Sequence, residues 1–171
     1  MADTLSKEQR SVLMSKVRGA DTKPEWILRC GLHRLGLRYR LRNKHLPGNP
    51  DLAFPRHGTV VFVHGCFWHR HAGCKDASMP KGNQSFWTRK FAENTERDAR
   101  AVEALERQGW NVLVVWECDL MKRTVETIQE AADAIRGNRR DPAPPQYRQP
   151  TLERKDLLAV AEGRVRYRID K

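Results

Sequence analysis

The segment His64-Gly-Cys-Phe-Trp-His-Arg-His-Ala-Gly-Cys74 holds two cysteines, three histidines and two adjacent aromatics within eleven residues. Thiolate and imidazole at short spacing are the donors zinc selects, because both are soft enough to hold it tightly. Cys66-x4-His71-x2-Cys74, joined by Cys118 more than forty residues further on, offers three thiolates and one imidazole. That is the donor set of a closed tetrahedral site, whose ion has no open position; it would pin the loop and take no part in chemistry. Reduced core cysteines beside surface histidines would use the same residues with no metal. Phe67 and Trp68 lie between the ligands, where they must pack inside or meet a flat partner.

A second group could do chemistry. Asp51 follows the turn cluster Leu46-Pro-Gly-Asn-Pro50 and starts a strand, and His64 ends the next strand. Neighbouring strand ends bring such residues close together, where a carboxylate can hold Mg²⁺ against a phosphate. Glu25 on the first helix could face the same cleft. His69 is not needed for zinc if His71 is used, which leaves it for proton transfer. Equally, Asp51 could be a turn cap, with His64 and His69 as plain surface residues. Residue types alone leave both readings open.

The elements that must position these residues follow from pattern. Asp21-Thr-Lys-Pro-Glu25 reads as a helix start, and the helix should run to Leu35, burying Ile27, Leu28, Leu32 and Leu35, with Gly36 ending it. Cys30 within it reads as a small buried hydrophobe. Tyr39–Arg42 alternates like a short strand, Asp51–Phe54 starts a second, and the β-branched run Thr59–Val63 predicts a central buried strand. A long helix is expected over 84–108, with Phe86, Phe91, Ala99, Val102 and Leu105 on one side and Gly109 after its end. Asn111–Trp116 reads as another buried strand, delivering Glu117-Cys118, and a helix over 124–136 closes the domain. This order implies an α/β sandwich around a mixed sheet. Cys118 reaches the other ligands only if two neighbouring strands end at one edge, which the order allows.

Residues 1–20 form a basic N-terminal arm carrying Lys7, Arg10, Lys16 and Arg18, with Leu13, Met14 and Val17 at helical spacing. It is expected either as a short amphipathic helix or as a segment that orders on DNA. Residues 21–136 form the domain proper, and 137–171 are a basic, proline-containing tail. At 171 residues and 39% hydrophobic, the chain can bury one core. A formal charge of +11 favours a polyanionic partner, since each Lys or Arg set against a phosphate releases condensed counterions. No apolar run approaches a membrane span and Met1–Lys7 has no signal-peptide core, so a cytosolic protein with no membrane partner is expected. In that reducing compartment the four cysteines should not form disulfides.

Asp21-Thr-Lys-Pro-Glu25, Gly36-Leu-Arg-Tyr-Arg40, Leu46-Pro-Gly-Asn-Pro-Asp51, Val63-His-Gly-Cys-Phe-Trp-His69, Phe86-Trp87, Glu96-Arg-Asp98, Gly109-Trp110 and Val114-Val-Trp-Glu-Cys118 occur in order and at close spacing. Together they resemble the very-short-patch repair (Vsr) mismatch endonucleases over about residues 6–122. The resemblance implies a restriction-endonuclease-like three-layer sandwich with a central mixed β-sheet and a structural zinc. It also implies an activity: nicking DNA 5′ to the thymine of a T·G mispair, which corrects deaminated 5-methylcytosine. By matching position, Asp51 would hold Mg²⁺ with the backbone carbonyl of Val63, and His69 would move the proton of the attacking water. His64 and Glu25 would support the metal-bound water and the phosphate. Cys66, His71, Cys74 and Cys118 would hold Zn²⁺, and Phe67, Trp68 and Trp87 would form a wedge entering the base stack. The expected setting is a monomer on mismatched double-stranded DNA at the bacterial nucleoid, with mismatch-repair proteins as candidate partners.

The wedge has a physical logic of its own. Unstacking a base step costs a few kcal/mol, and less beside a mispair, so an inserted ring favours mismatched DNA. Core packing is the expectation for Phe86 instead. The sequence also departs from restriction-type nucleases: where an acidic residue and a lysine usually follow the metal aspartate, it reads Val61-Phe-Val-His64, leaving His69 to activate water. Family members often have Thr at the Val63 position, and some have one residue fewer between the last two zinc ligands of the loop. Two alternatives stand beside this reading: a relative with other mismatch or restriction-like specificity, and a zinc-stabilised DNA-binding module without catalysis.

Overall fold

Thr59–His64 forms the central strand because its β-branched run suits a pleated surface buried on both faces. In the computed structural model, which describes residues 20–138 except Arg42, together with Gln9 and Val12, it is β2 of a three-stranded sheet. The arm's Leu13–Met14–Val17 pattern and the tail beyond Asn138 lie outside the described residues. β1 (Leu52–Phe54) runs antiparallel to β2, with Leu52 opposite Val61. β3 (Asn111–Trp116) runs parallel to it, with Thr59 opposite Asn111 and His64 opposite Trp116. The sheet is therefore mixed, and β2 and β3 end together at one edge, as the Cys118 reading requires.

Alternation along the strands splits the core in two. Leu52, Phe54, Val61 and Val115 face one layer of helices: α1 (Lys23–Arg34), α3 (Glu117–Lys122) and α4 (Thr124–Gly137). Ile27, Leu28, Leu32, Leu120, Ile128 and Ile135 fill that side. Ala53, Val60 and Phe62 face the opposite way, where Leu105 of the long helix α2 (Gln84–Arg107) packs with Leu46. Each fully buried Leu, Ile or Phe contributes roughly 1.5–3 kcal/mol of transfer free energy. This layering fits a restriction-endonuclease-like fold.

α1 ends as its sequence indicates. Gly36, at φ 84°, allows the Leu37 N–H to reach the Leu32 carbonyl and the Gly36 N–H to reach that of His33, a Schellman closure. At its start, Thr22 is the N-cap, and Glu25 reaches back to accept the Asp21 N–H (2.9 Å) and the Thr22 hydroxyl (2.7 Å). Cys30 is buried, and burial raises its thiol pKa, consistent with an inert core residue.

Three expectations need correction. Tyr39–Arg42 supplies only a single bridge, Arg40 with Ala53, rather than a strand. Phe86 is not core but 41% exposed, and Ala99 is also exposed. The buried stripe of α2 is Phe91, Asn94, Ala101 and Leu105, with half-buried Asp98 in register. The two missed positions are polar because that part of the stripe meets the site and not the core. α3 is the third difference, a short helix directly after β3 where only a strand end was expected.

Candidate active site

The turn before β1 aims Asp51. Gly48 adopts φ 72°, and a Cβ there would lie 2.6 Å from that of Ala101 on α2, so only glycine lets the turn approach the helix so closely. Asn49 follows at φ 51°, and Asp51 then places its Oδ2 2.7 Å from the Val63 N–H of β2. Burial pushes the Asp51 pKa up to about 6, the Val63 hydrogen bond opposes this, and the nearby Glu25 charge adds to it. A buried carboxylate facing a second carboxylate suits a bound cation.

Asp51, Glu25, Val63, His64 and His69 line one cleft together with Asp98 and Arg97. A second hollow continues from it, sharing Glu25, Val63, His69 and Arg97 and reaching Trp68, Lys90 and Asn94. The four residues expected to be catalytic therefore share one trench. His64 and His69 stack face to face, centroids 3.8 Å apart and planes 9° from parallel. Burial foremost, and then His69, lower the His64 pKa to about 4, against the opposing pull of Asp98. His64 is thus neutral at physiological pH.

His69 Nδ1 lies 2.5 Å from Asp98 Oδ2. An ionised carboxylate only accepts, so neutral His69 carries its proton on Nδ1 and leaves Nε2 free to take one. In the sequence Asp98 stands only as part of Glu96-Arg-Asp98, with no role attached. Asn94, 6% exposed, donates to the Trp68 carbonyl at 3.2 Å. Counting back from Leu105 by three and four residues reaches Ala101, Asp98, Asn94, Phe91 and Trp87, a periodicity that would have found both.

The candidate metal donors further along the chain point elsewhere. Arg70, at φ 54°, turns the backbone between His69 and His71. His71 Nδ1 lies 3.6 Å from Cys66 Sγ and 3.3 Å from Cys118 Sγ, and the ligand atoms of Cys66, His71, Cys74 and Cys118 all lie within 4.8 Å of one another. Edges of a zinc tetrahedron are roughly 3.5–3.8 Å from its bond lengths, so the four residues fit a metal ion. Burial pushes the Cys66 thiol up to about 12 and raises Cys118 as well, so in the absence of a cation these thiols stay protonated. Trp116 is the wall between the two sites, stacked on His71 (4.1 Å, 2°) and edge-on to His64 (5.4 Å, 72°).

Phe67 meets Trp68, Trp87 and Phe91 edge to face at 5.1, 5.4 and 5.1 Å. Phe67, Trp68 and Trp87 are half-buried over the buried Phe91, Trp68 lines the trench, and Phe86 extends the cluster outward, 5.3 Å from Trp87. Among the described residues no helix is long and apolar enough to cross a membrane.

A family model described as DNA mismatch endonuclease Vsr matches residues 2–75. The type II nicking enzyme V.XorIIP of Xanthomonas oryzae pv. oryzae is 48% identical over 120 residues, covering 70% of this chain and 88% of that protein. The chain belongs to the Vsr family of DNA mismatch endonucleases. The DNA mismatch endonuclease Vsr of Escherichia coli is 41% identical, over 79% of this chain and 86% of its own length. The type II nicking enzyme V.NmeAIP of Neisseria meningitidis is 38% identical over its full length and 79% of this chain. Membership makes the chain a DNA endonuclease, which sets aside the binding module without catalysis. DNA is its partner, in keeping with the +11 charge.

Proposed function

We propose that this member nicks one strand of DNA 5′ to the thymine of a T·G mispair, using Mg²⁺ in the trench and Zn²⁺ in the Cys/His cluster. The observation that carries the reading is the shared trench: Asp51 and the His69–Asp98 pair lie in it, and the aromatic cluster stands at its rim. Asp51, with the Val63 carbonyl, would hold Mg²⁺, which when bound acidifies water and offsets phosphate charge. His69 Nε2 accepts the proton of the water that attacks phosphorus, while Asp98 keeps Nδ1 protonated and the ring oriented. The bond from phosphorus to the 3′ oxygen breaks, and that oxygen takes a proton from solvent, leaving a 5′-phosphate and a 3′-hydroxyl. Neutral His64 backs the His69 ring by stacking, and Glu25, which lines the cleft from α1, would support the hydration of a bound Mg²⁺.

Cys66, His71, Cys74 and Cys118 would hold zinc, fixing the loop that carries Phe67 and Trp68. Those rings, with Trp87, enter the base stack beside the mispair, where unstacking costs least. One copy carries every group named, which supports action as a monomer on the bacterial nucleoid. The test is a strand-labelled duplex with one T·G mispair beside its T·A control, with Mg²⁺ and with EDTA. The expected result is a single Mg²⁺-dependent nick 5′ to the mispaired thymine. Equal cutting of both duplexes would replace this reading with a restriction-like specificity.

A further inference from the structure

Three carboxylates, Glu25, Asp51 and Asp98, line the cleft around Asp51, and DNA must bring a phosphate into it. β2, which lines it with Val63 and His64, carries no lysine or arginine. Among the described residues, Arg97 is the only arginine or lysine in the lining around Asp51, and it also lines the continuing hollow beside Trp68.

The setting of Arg97 differs from that of the other arginines on α2. Arg89 pairs with Glu93, Arg100 with Glu96 and Arg107 with Glu103, each four residues away along the helix. Four residues before Arg97 is Glu93, already the partner of Arg89, and four residues after it is Ala101, buried against the Gly48 turn. Arg97 instead has Asp98 as its ion-pair partner, at 3.6 Å, with its own side chain 62% exposed. A pair that open to water is worth roughly 0–1 kcal/mol, so the guanidinium can leave it for a better anion at little cost. Asp98 thus stands between Arg97, on Oδ1, and His69, on Oδ2.

We propose that the Arg97 guanidinium contacts the scissile phosphate and stabilises the charge that builds on its non-bridging oxygens as water adds. A planar fork of N–H donors suits two phosphate oxygens, and an arginine stays charged at any working pH. Its position one residue before Asp98 puts this donor at the trench rim next to the histidine that takes the water's proton. Arg97 is on this account a catalytic residue, and the assignment rests on the nicking activity proposed above but not on which mispair is cut.

The test is single-turnover nicking at saturating enzyme, with DNA affinity measured in parallel in EDTA, for the wild type, Arg97→Ala, Arg97→Lys and Arg100→Ala. Arg100→Ala removes the same charge from the outer face of the same helix. Removal of one preorganised donor to a transition-state oxygen lowers the rate by about 10²-fold. Arg97→Ala is expected to show that loss with DNA affinity within about threefold of wild type. Arg97→Lys should recover part of the rate, and millimolar guanidinium at matched ionic strength should speed Arg97→Ala and not Arg100→Ala. A wild-type rate in Arg97→Ala, equal losses in Arg97→Ala and Arg100→Ala, or a defect confined to affinity would each overturn the role. A wild-type protein that nicks no mispaired duplex overturns the proposed function as well, which separates the two failures.

Discussion

Within eleven residues, 64 to 74, the chain builds two sites of opposite character, divided by the Trp116 ring. On one side of the ring, three thiols and an imidazole converge until every ligand atom lies within 4.8 Å of the others. On the other side, oxygen and imidazole groups line an open trench, in which the donor atoms of His64, His69 and Asp98 also lie within 4.8 Å of one another. The first set is thiolate-rich and closed, which suits a structural ion; the second is rich in carboxylates and open, which suits a substrate. The histidines on either side of Arg70 go to different sites, so the left-handed turn at that residue separates a fixed point from a working one.

The largest effect expected from breaking this contrast is on the closed side. Cys66→Ser, or a strong chelator, should unfold or strongly destabilise the domain, because ligand binding to a structural zinc is worth about 10 kcal/mol of folding free energy or more in small metal-dependent domains. Circular dichroism with a zinc assay checks it, and a stable, zinc-free, fully active Cys66→Ser protein would sink it. On the open side the sign reverses. Asp51→Asn should lower nicking by 10³-fold or more, an order of magnitude expected for losing a metal-binding carboxylate, while the fold survives.

Its stability should in fact rise. Asp51 titrates near 6 in the folded chain against an ordinary 3.8. Between those values the folded chain binds the extra proton, so stability contributed by the neutral acid is full at low pH and is lost as pH rises through about 6. Above that pH the ionised carboxylate costs roughly 2–3 kcal/mol in metal-free protein, and Asn removes the cost. Thermal melts at pH 8 in EDTA should therefore place Asp51→Asn a few degrees above wild type. A lower melting temperature would contradict a carboxylate held for function. The smallest loss of rate in this series belongs to Asp98→Asn, which leaves the trench intact but lets His69 adopt the wrong tautomer. It should slow nicking by about 10²–10³-fold with DNA affinity unchanged, read in single-turnover assays.

Sequence pattern was a good guide to the closed site and a partial one to the open site. Cys66, His71 and Cys74 lie close along the chain, and Cys118 follows from two parallel strands ending together, so local spacing and one topological step suffice. The sheet strands declared themselves through β-branched runs, and α1 through its glycine stop. α2 was harder. Its apolar residues suggested a stripe through Phe86 and Ala99, both exposed in the structure. The true stripe runs through Asn94 and Asp98, whose polarity answers to Trp68 and His69, partners distant in sequence. Apolar residues alone do not mark a helix face that packs on a loop; the period set by Leu105, Ala101 and Phe91 has to be carried through its polar positions. The Tyr39 strand failed for a related reason, since alternation over four residues does not say whether a partner edge is long enough to pair with it.

α2 touches the aromatic cluster through Trp87 and Phe91 and His69 through Asp98, along a single rod. Eleven residues separate Trp87 from Asp98, about 16 Å of helix rise at 1.5 Å per residue. In the proposed reading, the place where the duplex is pried and the bond that is cut are therefore held at a set interval by a ruler of fixed length. The enzyme would measure its cut from the distortion it senses, and removing one residue between those two points would turn Asp98 by roughly 100° out of phase with Trp87.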